Sequence, residues 1–284
     1  FDSDRKLMTT VNRIDGKLTV IVKGAFDVLA GRCTAGNPES AAALCESMGE
    51  RALRVIAVAY KEIETRDFKL ASWQKISEPD GVYKFYIEGD GHAFDSRGRP
   101  TADPTPQGTM LRELAFGDPS PNVIYLARPC QYIMSPICAK RHWTTARFAP
   151  EVINAEYDAV RQTAGGHEVI LVGFSGGAQV AGLISAAKPG LRVKKLVTIA
   201  GNLDPLAWTT YHGLPPINES LSLESYRRQY LEIPQIHYAG SDDKVMPAAL
   251  IEDFVGGKHP VVRVEGATHN SGWEKIYLPV RQEK

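Results

Sequence analysis

Apolar side chains gather in short runs along most of this chain, and stretches whose apolar positions recur at helical spacing separate the runs. From residue 73 onward six such runs predict strands: 83–87, 123–126, 169–172, 193–200, 235–239 and 261–264. Between two of them, Val180, Leu183, Ile184 and Ala187 recur at i, i+3, i+4 and i+7, one face of a helix. Strands alternating with helices predict an α/β fold, a mostly parallel doubly wound sheet with helices on both faces. The Pro-rich stretches 99–106 and 214–218 are expected to be loops within that fold, because strand patterns continue on both sides of each. The beginning of the chain is sparser. Leu18 to Val22 predicts a strand, Glu39 to Arg51 an Ala-rich helix and Leu53 to Tyr60 a second strand, too little for a stable domain alone. A seam is expected across residues 64–72. It sets residues 1–64, a short α+β N-terminal segment, apart from residues 70–284.

Composition narrows the possible functions. The chain has 284 residues, 43% apolar and 23% charged, with 33 basic side chains against 33 acidic ones. This is an ordinary globular composition, and zero net charge gives no electrostatic reason to expect nucleic acid. No run of 18 or more apolar residues occurs, so no transmembrane segment is expected. The four cysteines, Cys33, Cys45, Cys130 and Cys138, form no C-x-x-C pair, which disfavours a zinc ribbon or a thioredoxin-type centre. The opening Phe-Asp-Ser-Asp-Arg-Lys has no basic start followed by an apolar stretch, so no secretory signal is expected in this chain.

The most specific chemical signal is Gly173-Phe174-Ser175-Gly176-Gly177, between the run 169–172 and the helical pattern that follows. A strand-to-helix turn this sharp strains its central residue and needs neighbours without bulk, which Gly173 and Gly177 supply. The turn exposes the serine oxygen at the carboxyl end of a strand and aims the free amides of a helix N-terminus at the reacting centre.

A serine needs a base to take its proton and an acid to orient that base. In strand–turn–helix enzymes the acid follows the serine and the histidine comes last. The run 235–239 leads into Gly240-Ser-Asp-Asp-Lys-Val245, where Asp243 lies three residues past the glycine and two before the valine. Asp242 is the alternative by one position, and Asp204, after the run ending at Ala200, is a competitor from an earlier strand. His269 stands on the loop beyond the last run, 261–264. His237 lies within a strand and is expected to be packed, and His259 precedes Pro260 at a loop. The remaining histidines, His92, His142, His167 and His212, lack the strand context.

Negative charge developing on a carbonyl oxygen calls for two backbone amides. One is expected from Gly176. The other is expected from the Gly-rich stretch Glu88-Gly-Asp-Gly91-His92, at Gly91 or His92. No metal or organic cofactor is required by this chemistry, and a small-molecule acyl compound is the expected substrate. The aromatic-rich stretch 203–231, with Trp208, Tyr211 and Tyr226, is expected to form a small cap that selects it.

From about Trp73 to Trp273 the chain resembles an α/β-hydrolase. It is most similar to bacterial hydrolases with an early Tyr86-Ile-Glu-Gly-Asp-Gly-His92 motif, then Arg128-Pro-Cys130-Gln-Tyr132, Cys138, Trp143-Thr144, Arg147-Phe148, Gly-Phe-Ser-Gly-Gly and Ala200-Gly-Asn-Leu-Asp204. The resemblance implies the α/β-hydrolase fold with a small cap over residues 70–280, and esterase- or lipase-like serine hydrolase activity through Ser175, Asp243 and His269. Such relatives are commonly exported or lipid-anchored. In an oxidising compartment Cys130 and Cys138 would suit a short disulfide loop.

The first 64 residues resemble something else. Phe1-Asp-Ser-Asp-Arg5-Lys6, Val22-Lys23-Gly24-Ala25 and Leu53-Arg54-Val-Ile-Ala57 are similar to three successive motifs of the nucleotide-binding domain of cation-transporting P-type ATPases. The resemblance implies that Phe1 stacks on adenine, that Lys6 and Lys23 line the nucleotide pocket and that Arg54 reaches the phosphates. Aromatic stacking and cationic side chains suit a purine triphosphate. The phosphorylated-aspartate motif Asp-Lys-Thr-Gly-Thr does not occur, so this chain is not expected to pump ions, and a gene fusion, an assembly artefact or an engineered chimera would each explain the join of two unlike pieces. Two further matches, Ser185-Ala-Ala-Lys188 to the S-x-x-K pattern and Asn218-Glu-Ser220 to a glycosylation sequon, are read as chance and as formal only.

Overall fold

The computed structural model describes the backbone of residues 7–14 and 17–24 and all of residues 61–276. Contacts divide the chain into two units, Phe1–Tyr60 with Ile76–Pro79, and Lys61–Lys75 with Asp80–Lys284. In the first, β1 (Leu7–Ile14) pairs antiparallel with β2 (Lys17–Gly24), Leu7 opposite Gly24 and Ile14 opposite Lys17. Only β2 is foreshadowed by the strand expected over 18–22. The helix expected over 39–51 and the strand over 53–60 lie outside the described residues.

The second unit is built on one eight-stranded sheet. Its strands are β3 (Lys61–Glu64), β4 (Lys69–Ile76), β5 (Tyr83–Ile87), β6 (Asn122–Leu126), β7 (Glu168–Phe174), β8 (Arg192–Ile199), β9 (Gln235–Gly240) and β10 (Val261–Val264). Their spatial order is β10-β9-β8-β7-β5-β6-β4-β3. The ladders from β6 through β5, β7, β8 and β9 to β10 are parallel, and β3 and β4 form an antiparallel pair at the far edge. Every residue of β5 and β6 is buried, as strands covered on both faces require.

The principal helices are α1 (Met110–Gly117), α2 (Pro150–Ala164), α3 (Gly176–Ala186), α4 (Pro205–Tyr211), α5 (Arg227–Tyr230) and α6 (Ala248–Val255). α2 begins on Pro150, where a missing N–H costs nothing, and ends at Gly165 with φ 57°. α3 is buried from Gly176 to Ile184, so it is a core helix without a solvated face. Among the described residues no helix is long and apolar enough to cross a membrane.

Two features of this order position a site. The chain passes from β5 to β6 on one side and later to β7 on the other, so strand order reverses at β5. Open α/β sheets bind ligands at such a point, beyond the carboxyl ends of the strands. Those ends carry Glu88 to His92 after β5, Arg128 to Tyr132 after β6 and Ser175 after β7.

The loop after β6 is closed by a disulfide between Cys130 and Cys138. Chain-entropy arithmetic for so short a loop gives a contribution of about 2–3 kcal/mol. Reduction, or Cys138→Ser with Cys130→Ser, is therefore expected to lower the urea unfolding free energy by about that amount. An unchanged midpoint after complete reduction would contradict it. Cys33 and Cys45 lie outside the described residues.

Candidate active site

Ser175 has φ 49° and ψ −120°, a positive φ that a serine adopts only under strain. Its neighbours permit this. A Cβ on Gly173 would lie 2.5 Å from Ala178 Cα, and one on Gly177 would lie 2.3 Å from the Ile87 carbonyl oxygen. Any side chain at either position would push α3 off the sheet.

Asp243 is nearly fully buried beyond β9 and fixed by its own turn, because its Oδ1 accepts from the amides of Val245 and Met246 at 2.8 Å. Its Oδ2 lies 2.9 Å from Nδ1 of His269, and Nε2 of His269 lies 3.1 Å from Ser175 Oγ. A carboxylate only accepts, so the imidazole proton sits on Nδ1 and Nε2 is left to accept from the serine hydroxyl. Phe174 packs against the imidazole at 5.1 Å between ring centroids.

The other candidates are engaged elsewhere. Asp204 caps α4, accepting from the amides of Leu206 and Ala207 at 3.0 Å. Asp242 is exposed and accepts from Ser241 Oγ. His259 meets the Leu231 carbonyl, and His212 the Val245 carbonyl. Ser185 bonds back to Ala181 within its helix, and Ser220 donates to the Thr145 carbonyl.

His237 is packed, as its place in a strand implied. It is fully buried between Thr198 Oγ1 at 2.8 Å and Gln235 Oε1 at 2.9 Å, and burial pushes its imidazole down to about 3, with His259 adding to the effect. Unfolded, it takes up a proton below about 6.5. The unfolded chain thus binds more protons between those values, so stability is full above about 6.5 and falls as pH drops through the window. From pH 6.5 to 4.5 this group alone is expected to remove about 2 kcal/mol in urea titrations. His237→Gln should lose that share of the pH dependence; an identical acid slope in the variant would refute the expectation.

The loop after β5 is tethered along its length. Gly89 N–H donates to Glu88 Oε1 at 2.8 Å, the Gly89 carbonyl accepts from Gln131 Nε2 at 3.0 Å, and His92 N–H donates to the Pro104 carbonyl at 2.9 Å. The expectation that the His92 amide faces a substrate oxygen is therefore corrected: that N–H is already engaged. The amides of Asp90, Gly91 and Gly176 donate to no group among the described residues.

A cavity of about 900 Å³ opens on Ser175 and His269. Phe94, Leu111, Phe174, Trp208 and Val245 are among its apolar lining residues and Arg147, Glu113 and Glu274 among its charged ones, with the Arg147 guanidinium 5.6 Å from the Phe94 ring centroid. Of the stretch 203–231 expected to cap it, Trp208 reaches the cavity, its indole N–H donating to the Val245 carbonyl at 2.7 Å. Leu223 and Tyr230 instead pack on α3, where a Cβ on Gly182 would lie 2.6 and 3.1 Å from their side chains.

Four residues join the site with no role foreseen for them. Asp90 Oδ2 lies 2.5 Å from Arg147 Nη1, and its Oδ1 lies 3.5 Å from Arg128 Nη1. Arg128 also donates to the Arg147 carbonyl and lies 3.3 Å from the buried Glu156. Burial pushes the Arg128 guanidinium down and the Glu156 carboxyl up. Gln131 is the fourth, through Gly89. All belong to recognisable motifs, and that membership was the only signal available. Of the residues expected to bind nucleotide, Phe1, Lys6 and Arg54 lie outside the described residues. Lys23 is described by its backbone in β2, opposite Met8.

Residues 1–85 match the family model of the P-type ATPase cytoplasmic domain N. A calcium-transporting ATPase 1 from Lactococcus lactis subsp. lactis (strain IL1403) is 39% identical over 82 residues, which cover 25% of this chain. The match spans only 9% of that transporter's length. Among solved structures, Est1E from Butyrivibrio proteoclasticus aligns with a TM-score of 0.52 at 15% identity, covering 74% of this chain and 90% of that one. The lip1 protein of Acinetobacter baumannii AYE aligns with a TM-score of 0.52 at 13% identity, covering 76% and 86%. The chain therefore contains an α/β-hydrolase fold, and its N-terminal stretch is similar in sequence to a P-type ATPase cytoplasmic domain.

Proposed function

We propose that residues 70–284 are a serine hydrolase that cleaves an ester or related acyl bond. Ser175 attacks the carbonyl carbon while His269 takes its proton. The tetrahedral oxyanion is held by the amide of Gly176 and one from the loop after β5. His269 then returns the proton to the leaving group, and Asp243 stabilises the imidazolium throughout. Water repeats the sequence on the acyl-enzyme and releases the acid. One observation carries this function: a strained, positive-φ serine whose Oγ is 3.1 Å from an imidazole that is itself oriented by a buried carboxylate. The apolar lining residues Phe94, Phe174 and Trp208 suit an acyl or aryl group. With p-nitrophenyl acetate, a stoichiometric burst of p-nitrophenol followed by slower turnover is expected. Linear release without a burst, at a rate equal to that of Ser175→Ala, would defeat it.

A second function is favoured by the family match over residues 1–85: a nucleotide-binding fragment, joined as a chimera to a hydrolase-like domain that is inactive. Its pocket would use Phe1, Lys6, Lys23 and Arg54. Thermal stabilisation by ATP that is lost in Lys23→Ala, together with no burst, would select it. A burst without any ATP effect would select the hydrolase.

A further inference from the structure

The loop after β5 meets the serine turn through Asp90. A Cβ placed on Gly176 would lie 2.2 Å from Asp90 Oδ1, so this carboxylate rests against the Cα of the residue whose amide follows the serine. Its backbone belongs to the loop whose open amides border the cavity. Asp90 thus touches both sides of the place where a substrate oxygen would develop negative charge. An isolated carboxylate there would repel that charge. Here two guanidinium groups hold it, Arg147 at 2.5 Å and Arg128 at 3.5 Å, with side chains only 8% and 5% exposed. Oδ1 is buried and has no hydrogen-bond donor among the described residues, so the ion pair with Arg128 is what faces that oxygen, while Oδ2 takes Arg147. Arg128 also donates to the Arg147 carbonyl, and its charge is countered by Asp90 together with Glu156, against the repulsion of Arg147.

We propose that Asp90, clamped between Arg147 and Arg128, is a positioning residue that fixes the loop 88–92 so that its open amides and that of Gly176 converge on one oxyanion. The proposal rests on the serine hydrolase function above and adds a requirement to it. Asp90 takes no proton and makes no bond to substrate; its charge holds two positive groups in place, and they hold the loop. Asparagine keeps the shape but removes the negative charge with which both guanidinium groups pair.

The test uses the full chain with p-nitrophenyl butyrate as substrate and a trifluoromethyl alkyl ketone as inhibitor. The ketone adds to a serine as an anionic hemiketal, so its affinity reports on the oxyanion donors. Loss of one such donor slows an acyl transfer about 10²–10³-fold. Asp90→Asn, which leaves the donor in place but unsteadied, is expected to lower kcat about 10–100-fold. KM should stay within about threefold, and the ketone's Ki should rise in parallel with the fall in kcat/KM. Arg147→Lys, which keeps the charge, is expected to retain most of kcat, whereas Arg147→Met falls with Asp90→Asn and carries the test should that variant not fold. A folded Asp90→Asn with wild-type kcat would overturn the proposal. So would a fall in kcat with unchanged ketone affinity, a rise in KM alone, or equal losses in Arg147→Lys and Arg147→Met. Wild-type protein that neither turns over the ester nor binds the ketone would defeat the hydrolase function itself. A wild type that does both beside an unaffected Asp90→Asn would defeat the positioning role alone.

Discussion

Ser175→Ala is expected to lower kcat/KM for p-nitrophenyl butyrate by about 10⁶-fold, with the melting temperature within a few degrees of wild type. The magnitude follows from what remains. Without Oγ no acyl-enzyme would form and His269 would have no hydroxyl proton to take, while the proposed oxyanion amides would support only the residual rate of a water attack. Alanine occupies the same positive-φ position with one atom fewer, so the turn gains no new strain. A variant that keeps more than about a hundredth of the wild-type rate would mean that the ester is cleaved elsewhere.

Asp243→Asn carries the second-largest expected loss, about 10⁴-fold in kcat with KM nearly unchanged. Asparagine can still accept from the amides of Val245 and Met246 through its oxygen, so the turn after β9 survives. Its NH₂ group then faces Nδ1 of His269 in place of the carboxylate oxygen now 2.9 Å away. The imidazole responds by moving its proton to Nε2, where it cannot accept from Ser175. Asp242→Asn is the matched control, expected to stay within about twofold because surface substitutions away from such features do little. Equal losses in the two variants would contradict the assignment of Asp243.

The strands legible in sequence are those that carry an apolar run, whether wholly buried like β5 and β6 or, like the edge strand β10, with one buried residue in four. β5 and β10 run over the residues their apolar runs predicted, and β6 to β9 differ at their ends by at most two residues. β3 and β4 were not legible. Lys61-Glu-Ile-Glu64 has one buried residue in four, and the pair forms an antiparallel sheet edge across the very residues, 64–72, where the pattern breaks and suggested a seam. Both edges of the sheet are solvated, but β10 keeps three valines in four residues, whereas β3 alternates charge with a single isoleucine and so gives no apolar run.

The candidate site divides the same way. Ser175 announces itself because its glycines are needed within two residues of it, and Asp243 and His269 because each follows a readable strand. The clamp on the loop after β5 had no such local signature. Arg147 meets Asp90 across 57 residues of chain and Gln131 meets Gly89 across 42, so only the folded sheet brings these partners together. The misassigned His92 amide has the same origin, since its acceptor, the Pro104 carbonyl, sits on a loop whose path no periodicity describes.

Covalent labelling of the intact chain with a fluorophosphonate probe tests the hydrolase function most directly. One adduct per chain is expected, located by mass spectrometry on the peptide containing Ser175, and absent in Ser175→Ala. A chain that stays unlabelled, or one labelled equally well in the variant, would contradict it.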